Sequence, residues 1–306
     1  MKSRISGFAR AATAFAVMAM FTAQAKAQDL LGQPTPNAID LQPAASELKH
    51  DAIFFHNVIL MPIITIITLF VLGLLIYCAV KFNRKSNPVP ARWSHNTLIE
   101  VIWTAAPVLI LMFIAIFSFK LLFKYHDTPT PYMTVKATGY QWYWGYEYPD
   151  QKIAEITSTI LPEEEAKAKG VPYRLAATEP LVVPVNQVIR VQVTGADVIH
   201  SFGLPAFGLK TDGIPGRLNE TWFRPEKTGT YYGQCSELCG VDHAFMPIEI
   251  KVVSQADFDA WVASKTAPPP AAAPAEAAPA AAPADAAAAP AATTAPAAAP
   301  AAAPAA

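Results

Sequence analysis

The segment "YYGQCSELCGVDHAFMP", residues 231–247, places Cys235, Glu237, Cys239, His243 and Met246 within about a dozen positions. The whole chain of 306 residues has only three cysteines, so two of them four positions apart, followed by His and Met, call for a chemical reason. Thiolate, imidazole and thioether are soft or borderline donors, a set that suits copper. A further histidine, His200, stands in "GADVIHSFGLPAFG" at the end of an expected strand. One thiolate with two histidines and a weak axial methionine makes a mononuclear blue-copper centre. A second thiolate changes the count. With each sulfur bridging two coppers, His200 and His243 can cap one metal each, and Met246 and the Glu237 carbonyl can supply weaker ligands. Such a core shares one electron between two metals with little change in bond length, which serves electron transfer rather than substrate activation. Two other arrangements stand beside it: a Cys235–Cys239 disulfide in an oxidising compartment, and a zinc site that would leave Met246 without a role. Cys78, at the end of an apolar helix, reads as inert packing.

Which compartment holds this cluster follows from the N-terminal half. Lys2, Arg4 and Arg10, a short apolar run and Ala25-Lys26-Ala27 have the layout of a signal peptide over residues 1–27, with the exported chain starting at Gln28. Residues 53–80 are largely apolar, with His56 as their single His or Asp/Glu/Lys/Arg side chain, and residues 98–119 likewise with Glu100. Both are long enough to cross a hydrocarbon core, and Pro62 and Pro107 are tolerable there as kinks. The loop between them carries Lys81, Arg84, Lys85 and Arg92 and no acid, which places it in the cytoplasm. The expected organisation is an exported segment over 28–52 and a transmembrane helical hairpin over 53–125, with both ends outside.

Beyond the hairpin, short β-branched and aromatic segments alternate with Gly and Pro: "YMTVKATG", "YQWYWGYEY", "LVVPV", "VIRVQVTG", "ETWFRP", "GTYYGQC" and "PIEIKVV". They predict an all-β sandwich or barrel over 126–265. "LPEEEAKAKGVP" reads as a charged excursion between strands, and "SQADFDAWVASK" as a closing helix capped by Ser254. The tail over 266–306 is almost only Ala and Pro, cannot bury a core, and is expected to be disordered. A net charge of −1 gives no reason to expect a nucleic-acid partner.

"GQCSELCGVDHAFMP", "DVIHSFGLPAFGLKTDGIPGRLN" and "GYQWYWGYEY" resemble the signature segments of subunit II of haem-copper cytochrome c oxidases. The resemblance covers residues 54–265. It implies a cupredoxin-like domain carrying a dinuclear CuA centre of two copper ions, with His200, Cys235, Cys239, His243, Met246 and the Glu237 carbonyl as ligands. It further implies a magnesium ion shared with subunit I through the Glu237 side chain, and subunits I and III as partners in a bacterial inner membrane. Cytochrome c is the implied donor, and oxygen reduction coupled to proton pumping takes place in subunit I. The chain has no Cys-x-x-Cys-His, so the donor haem belongs to a separate protein.

Two regions bear on the electron and proton routes. Strand alternation in "YQWYWGYEY" would put Trp142 and Trp144 on one face and Tyr143 on the other. Aromatic clusters usually form core, but Trp142 matches the family's exposed tryptophan where electrons enter. Glu147, Asp150 and Asp197 are expected around it as acids that steer a basic donor. Thr97-x-x-Glu100 reads as a helix capping box. "EVIW" also resembles the family's glutamate at the mouth of a proton channel, which makes Glu100 a candidate for proton uptake. A structural subunit of a quinol oxidase would lack the copper ligands, a nitrous-oxide reductase would need a propeller domain and no hairpin, and a membrane-anchored copper carrier would hold its metal loosely.

Overall fold

Pro62 shapes the first apolar helix. In the computed structural model, which describes residues 31–267, helix α1 (Glu47–Phe54) passes through a π-helical turn (Phe55–Leu60) into α2 (Met61–Lys81). Proline has no N–H to give to the carbonyl four residues back, and just before it the ladder widens, with the Met61 N–H donating to the His56 carbonyl. The helix starts ahead of residue 53, the expected boundary, because Ser46 accepts the Lys49 N–H at its N-terminus. The expected signal peptide, and the tail beyond Ala267, lie outside the described residues.

Helix α3 (Thr97–His126) corrects one expectation. Its cap is Asn96, whose side-chain oxygen accepts from the Ile99 N–H at 3.2 Å, so Thr97 is already helical and the Thr97–Glu100 capping box does not form. Glu100 lies one turn inside, its N–H donating to the Asn96 carbonyl. Both long helices are apolar enough to cross a membrane, and neither α2 nor α3 has a buried residue. Apolar faces of that length left uncovered by their own chain need lipid or another protein against them.

Ten strands follow: β1 (Met133–Tyr140), β2 (Tyr143–Tyr148), β3 (Ile153–Ser158), then the short helix α4 (Glu163–Lys169), β4 (Leu181–Pro184), β5 (Ile189–Gly195), β6 (His200–Leu204), β7 (Leu209–Gly213), β8 (Asn219–Phe223), β9 (Gly229–Cys235) and β10 (Pro247–Val253). Helix α5 (Gln255–Thr266) closes the described chain, with Ser254 accepting the Asp257 N–H as the sequence predicts. The strands form two five-stranded sheets, ordered β3-β2-β1-β5-β8 and β4-β10-β9-β6-β7. Strand alternation drives their packing: on β5, Ile189, Val191 and Val193 are buried while Arg190, Gln192 and Thr194 are not. Trp144, Phe202, Trp222 and Phe223 fill the space between, with Trp144 meeting Phe202 edge-on.

The hairpin is bonded to this sandwich near the turn after β6 and the end of β8, where His50 also pairs with Glu226 at 3.1 Å. The Ser46 hydroxyl donates to the Phe207 carbonyl at 2.8 Å, the Tyr125 hydroxyl to the Gly208 carbonyl at 3.0 Å, and the Trp222 indole N–H to the Lys124 carbonyl at 3.1 Å. Phe207 and Gly208 belong to the turn that leaves β6, where Gly208 takes a left-handed φ of 76°.

One hydroxyl closes the edge of the second sheet. Tyr148 Oη donates to the Val182 carbonyl and accepts from the Val182 N–H, at 3.1 and 2.8 Å, and is fully buried. Tyr148→Phe strands both backbone groups and is expected to cost about 1–3 kcal/mol, read by guanidinium denaturation of the detergent-solubilised chain followed by tryptophan fluorescence. A loss under about 0.5 kcal/mol would show that water satisfies β4 as well as the tyrosine does.

Candidate metal centre

The two sequence segments carrying the soft donors meet because β6 and β9 are antiparallel neighbours, with Phe202 opposite Cys235. His200 opens β6 and Cys235 ends β9. The chain then loops out over residues 236–246 and returns into β10, closed at its base by the Cys235 N–H donating to the Met246 carbonyl at 3.0 Å. A second bond, Ser236 N–H to the Ser201 carbonyl at 2.9 Å, holds the loop against β6. His243 sits in a single 3-10 turn (His243–Phe245) at the far side of the loop.

Four of the expected ligands converge. The Cys235 and Cys239 sulfurs are 3.8 Å apart, His200 Nδ1 is 3.9 Å from Cys235, and His243 Nδ1 is 3.5 Å from Cys239. The Glu237 carbonyl oxygen lies 3.3 Å from the Cys235 sulfur. His200, Cys235, Cys239 and Met246 are all buried. Both cysteines are free, so the disulfide alternative is not the arrangement found. The Glu237 carboxylate points elsewhere, half-exposed and 3.7 Å from Lys210 Nζ.

The donor set fits a bound metal. A metal–thiolate bond is about 2.3 Å long, so sulfurs 3.8 Å apart can both touch one ion. His200 Nε2 lies 2.8 Å from Asp197 Oδ1, and a carboxylate can only accept. The neutral ring therefore carries its proton on Nε2 and turns the Nδ1 lone pair toward the sulfurs, the orientation that carboxylates give to metal-binding histidines. Asp197 is itself held by the Gln141 and Val198 N–H groups at 2.7 and 2.6 Å. Burial would raise its pKa, but these bonds and the one from His200 bring it below the usual range. At His200 burial pulls the pKa down, and Cys235 and Asp197 together turn the net direction upward.

The thiols show the same competition. Burial raises both. At Cys235 the hydrogen bond with His200 overcomes it and the pKa falls, whereas at Cys239 the neighbouring Cys235 charge adds to burial and the pKa rises. The contact with His200 favours a thiolate at Cys235, and a charge there disfavours a second one at Cys239.

The aromatic segment departs from its expected pattern. Trp144 is buried in the core, its ring edge-on to Phe202 and 6.1 Å from the His200 ring. Trp142 precedes β2 in the turn from β1, so strand alternation does not reach it. Half-buried there, its indole N–H donates to the Cys239 carbonyl at 3.2 Å. The three acids do not cluster around it. Asp197 stands beside Gln141 and His200, but Glu147 lies five residues along β2, roughly 16 Å away at about 3.3 Å per residue, paired with Lys136. Asp150 caps the Thr134 N–H at the same far end.

Two residues escape a reading of motifs. Gln141 donates through Nε2 to the same Cys239 carbonyl as Trp142, at 2.8 Å. Gly139 is the seat of His200, since a Cβ there would stand 2.6 Å from the imidazole ring. Neither announces itself, because an amide and a missing side chain carry no metal chemistry of their own.

Comparison with known proteins agrees with this arrangement. Residues 133–253 match the family described as "Cytochrome C oxidase subunit II, periplasmic domain", and residues 34–121 its "transmembrane domain". A probable cytochrome c oxidase subunit 2 of Rickettsia conorii is 49% identical over 233 residues, covering 76% of this chain and 73% of that protein. Cytochrome c oxidase subunit 2 of Cereibacter sphaeroides is 43% identical over 274 residues, covering 84% and 90%. Among solved structures, the periplasmic domain of subunit II of cytochrome oxidase of Bradyrhizobium japonicum is 57% identical, covering 45% of this chain and 96% of that one, with a TM-score of 0.42. With two apolar helices, a periplasmic β-sandwich and a buried His/Cys site, the chain belongs to the cytochrome c oxidase subunit II family.

Proposed function

We propose that this chain takes electrons one at a time from cytochrome c at a dinuclear CuA centre and passes them to haem in subunit I, where oxygen is reduced to water and protons are pumped. The observation that carries the reading is the buried cluster of His200 and the two free thiols of Cys235 and Cys239, with the half-buried His243 imidazole 3.5 Å from Cys239. His200, Cys235, Cys239, His243, Met246 and the Glu237 carbonyl hold two copper ions, which when bound supply a one-electron carrier whose bond lengths change little. Asp197 fixes the His200 tautomer, and Gly139 leaves room for the ring. The Glu237 carboxylate is this chain's ligand to a magnesium ion whose other ligands come from subunit I.

Trp142 links the surface to the site through its bond to the Cys239 carbonyl. Leu238 and Val241, 78% and 82% exposed, extend an apolar rim on the same loop, the kind of contact a donor can press against. Asp197 near the site and Glu147 and Asp150 farther along the sandwich supply negative field to a basic donor. Glu100 stands on the first turns of α3, beside the basic loop that lies in the cytoplasm of a bacterial inner membrane, and assists proton uptake into subunit I. Residues 1–27 are the cleaved signal peptide, 53–125 the hairpin and 126–265 the copper domain, with subunits I and III packed on the hairpin.

Three measurements test this. The copper-loaded chain is expected to hold two coppers sharing one unpaired electron over two equivalent nuclei in electron paramagnetic resonance, and Cys239→Ser to abolish that signal; a single-copper spectrum in the unsubstituted chain overturns the reading. Glu147→Gln combined with Asp197→Asn is expected to slow electron uptake from cytochrome c at low ionic strength, with the difference shrinking as salt rises. Equal rates across the salt series remove these acids from docking. Glu100→Ala in the assembled oxidase is expected to slow turnover and proton uptake while leaving the copper spectrum unchanged; intact turnover restricts Glu100 to favouring the helix N-terminus.

A further inference from the structure

The excursion between β3 and β4, residues 159–180, is built onto the strands that flank the metal loop. Ile160 bridges Ala177, while Leu161, Ala166 and Ala176 pack on Tyr232 of β9. The Ala177 N–H donates to the Glu249 carboxylate of β10 at 2.7 Å. The excursion is thereby anchored to the strand that ends in Cys235 and to the strand that follows Met246. At its far end Arg174 adopts a left-handed φ of 72°, a conformation a residue with a side chain takes up only when its surroundings compensate. Its guanidinium carbon lies 4.8 Å from the centre of the Phe245 ring. Phe245 is the half-buried residue of the 3-10 turn between His243 and Met246.

We propose that Arg174 is a positioning residue for the metal loop: stacked on Phe245, it holds the turn carrying His243 and Met246 in its ligating arrangement before metal arrives. A cation over an aromatic face is attracted by the ring quadrupole, and a planar guanidinium stacks better than an ammonium. The near arm of the loop is tied down at Ser236 and Cys239 by hydrogen bonds to β6 and the β1–β2 turn. Beyond Gly240, the 3-10 turn has its own bonds, His243 N–H to the Gly240 carbonyl and Phe245 N–H to the Asp242 carbonyl, with His243 Nδ1 3.5 Å from the Cys239 sulfur and the Met246 carbonyl accepting the Cys235 N–H at the loop base. Arg174 adds a tie from the excursion at Phe245, between His243 and the pinned Met246, and a ligand held in place beforehand loses less freedom on binding. The inference rests on His243 and Met246 being ligands.

The test uses the full chain in detergent, copper-free and copper-loaded, with Arg174→Ala, Arg174→Lys, Phe245→Leu and the double variant Arg174→Ala/Phe245→Leu. Hydrogen–deuterium exchange over residues 240–247 of the copper-free chain is expected to quicken about two- to five-fold in Arg174→Ala. Arg174→Lys should recover part of that protection, and the double variant should exchange no faster than Phe245→Leu alone, because the two residues form one contact. Loss of copper to a chelator from the loaded chain should follow the same order. Unchanged exchange, a lysine no better than alanine, or additive effects in the double variant overturn the proposal. Faster exchange throughout β9 and β10 does so too, since Arg174 would then stabilise the domain as a whole. If the unsubstituted chain takes up no copper, the ligand reading fails by itself, while the copper-free exchange still decides whether Arg174 clamps the turn.

Discussion

Two sulfur atoms 3.8 Å apart in a pocket that water hardly reaches repel one another once both are ionised. The structure around them answers that repulsion. It sets imidazoles against the sulfurs and keeps the nearest carboxylate, Asp197, on the far side of the His200 ring, where it orients the histidine without adding charge beside the thiolates. It clears the backbone of β1 at Gly139 so that the ring can lie flat against the sheet. It also bonds the Cys239 carbonyl twice, from Gln141 and Trp142, so that this cysteine cannot swing away from its partner. The second negative charge is the one these contacts do not offset, and a soft cation is the kind of partner that would.

The His/Cys cluster was legible because Cys235 and Cys239 lie four positions apart with His243 close behind, and the residue types alone restrict the chemistry. His200 was expected at the end of a strand, whereas it opens β6, whose antiparallel neighbour β9 brings Cys235 to it. Misreadings came from assuming regular structure one residue too far. Asn96 and Thr97 are both good caps, and only the backbone decides which one faces the free N–H groups of α3. The alternation assigned to Trp142 needed a strand running through a turn. Five residues separate Trp142 from Glu147, a distance that sequence cannot convert to space without knowing that the chain between is extended. Gly139 and Arg174 were out of reach, since one acts by lacking a side chain and the other through a fold of the excursion that no local pattern specifies.

Hairpin and sandwich were legible for different reasons. Long apolar runs separated by an all-basic loop leave few alternatives for a chain near a membrane. The sandwich depended on strand count and turn residues, which indicate its class but not that β1 pairs parallel to β5 and β4 parallel to β10. Those parallel pairs set the order of strands in each sheet, and the order is what brings β6 beside β9.

The bonds from Ser46 and Tyr125 to Phe207 and Gly208 give the molecule a mechanical property. Both membrane helices grip the turn that leaves β6, and β6 begins at His200, five residues upstream of that turn. The five residues of β6 span the distance from that turn to His200. Helices respond to a thicker or thinner hydrocarbon layer by changing tilt. Here such a tilt would pull on the turn at one end of β6, the strand whose other end is the His200 imidazole.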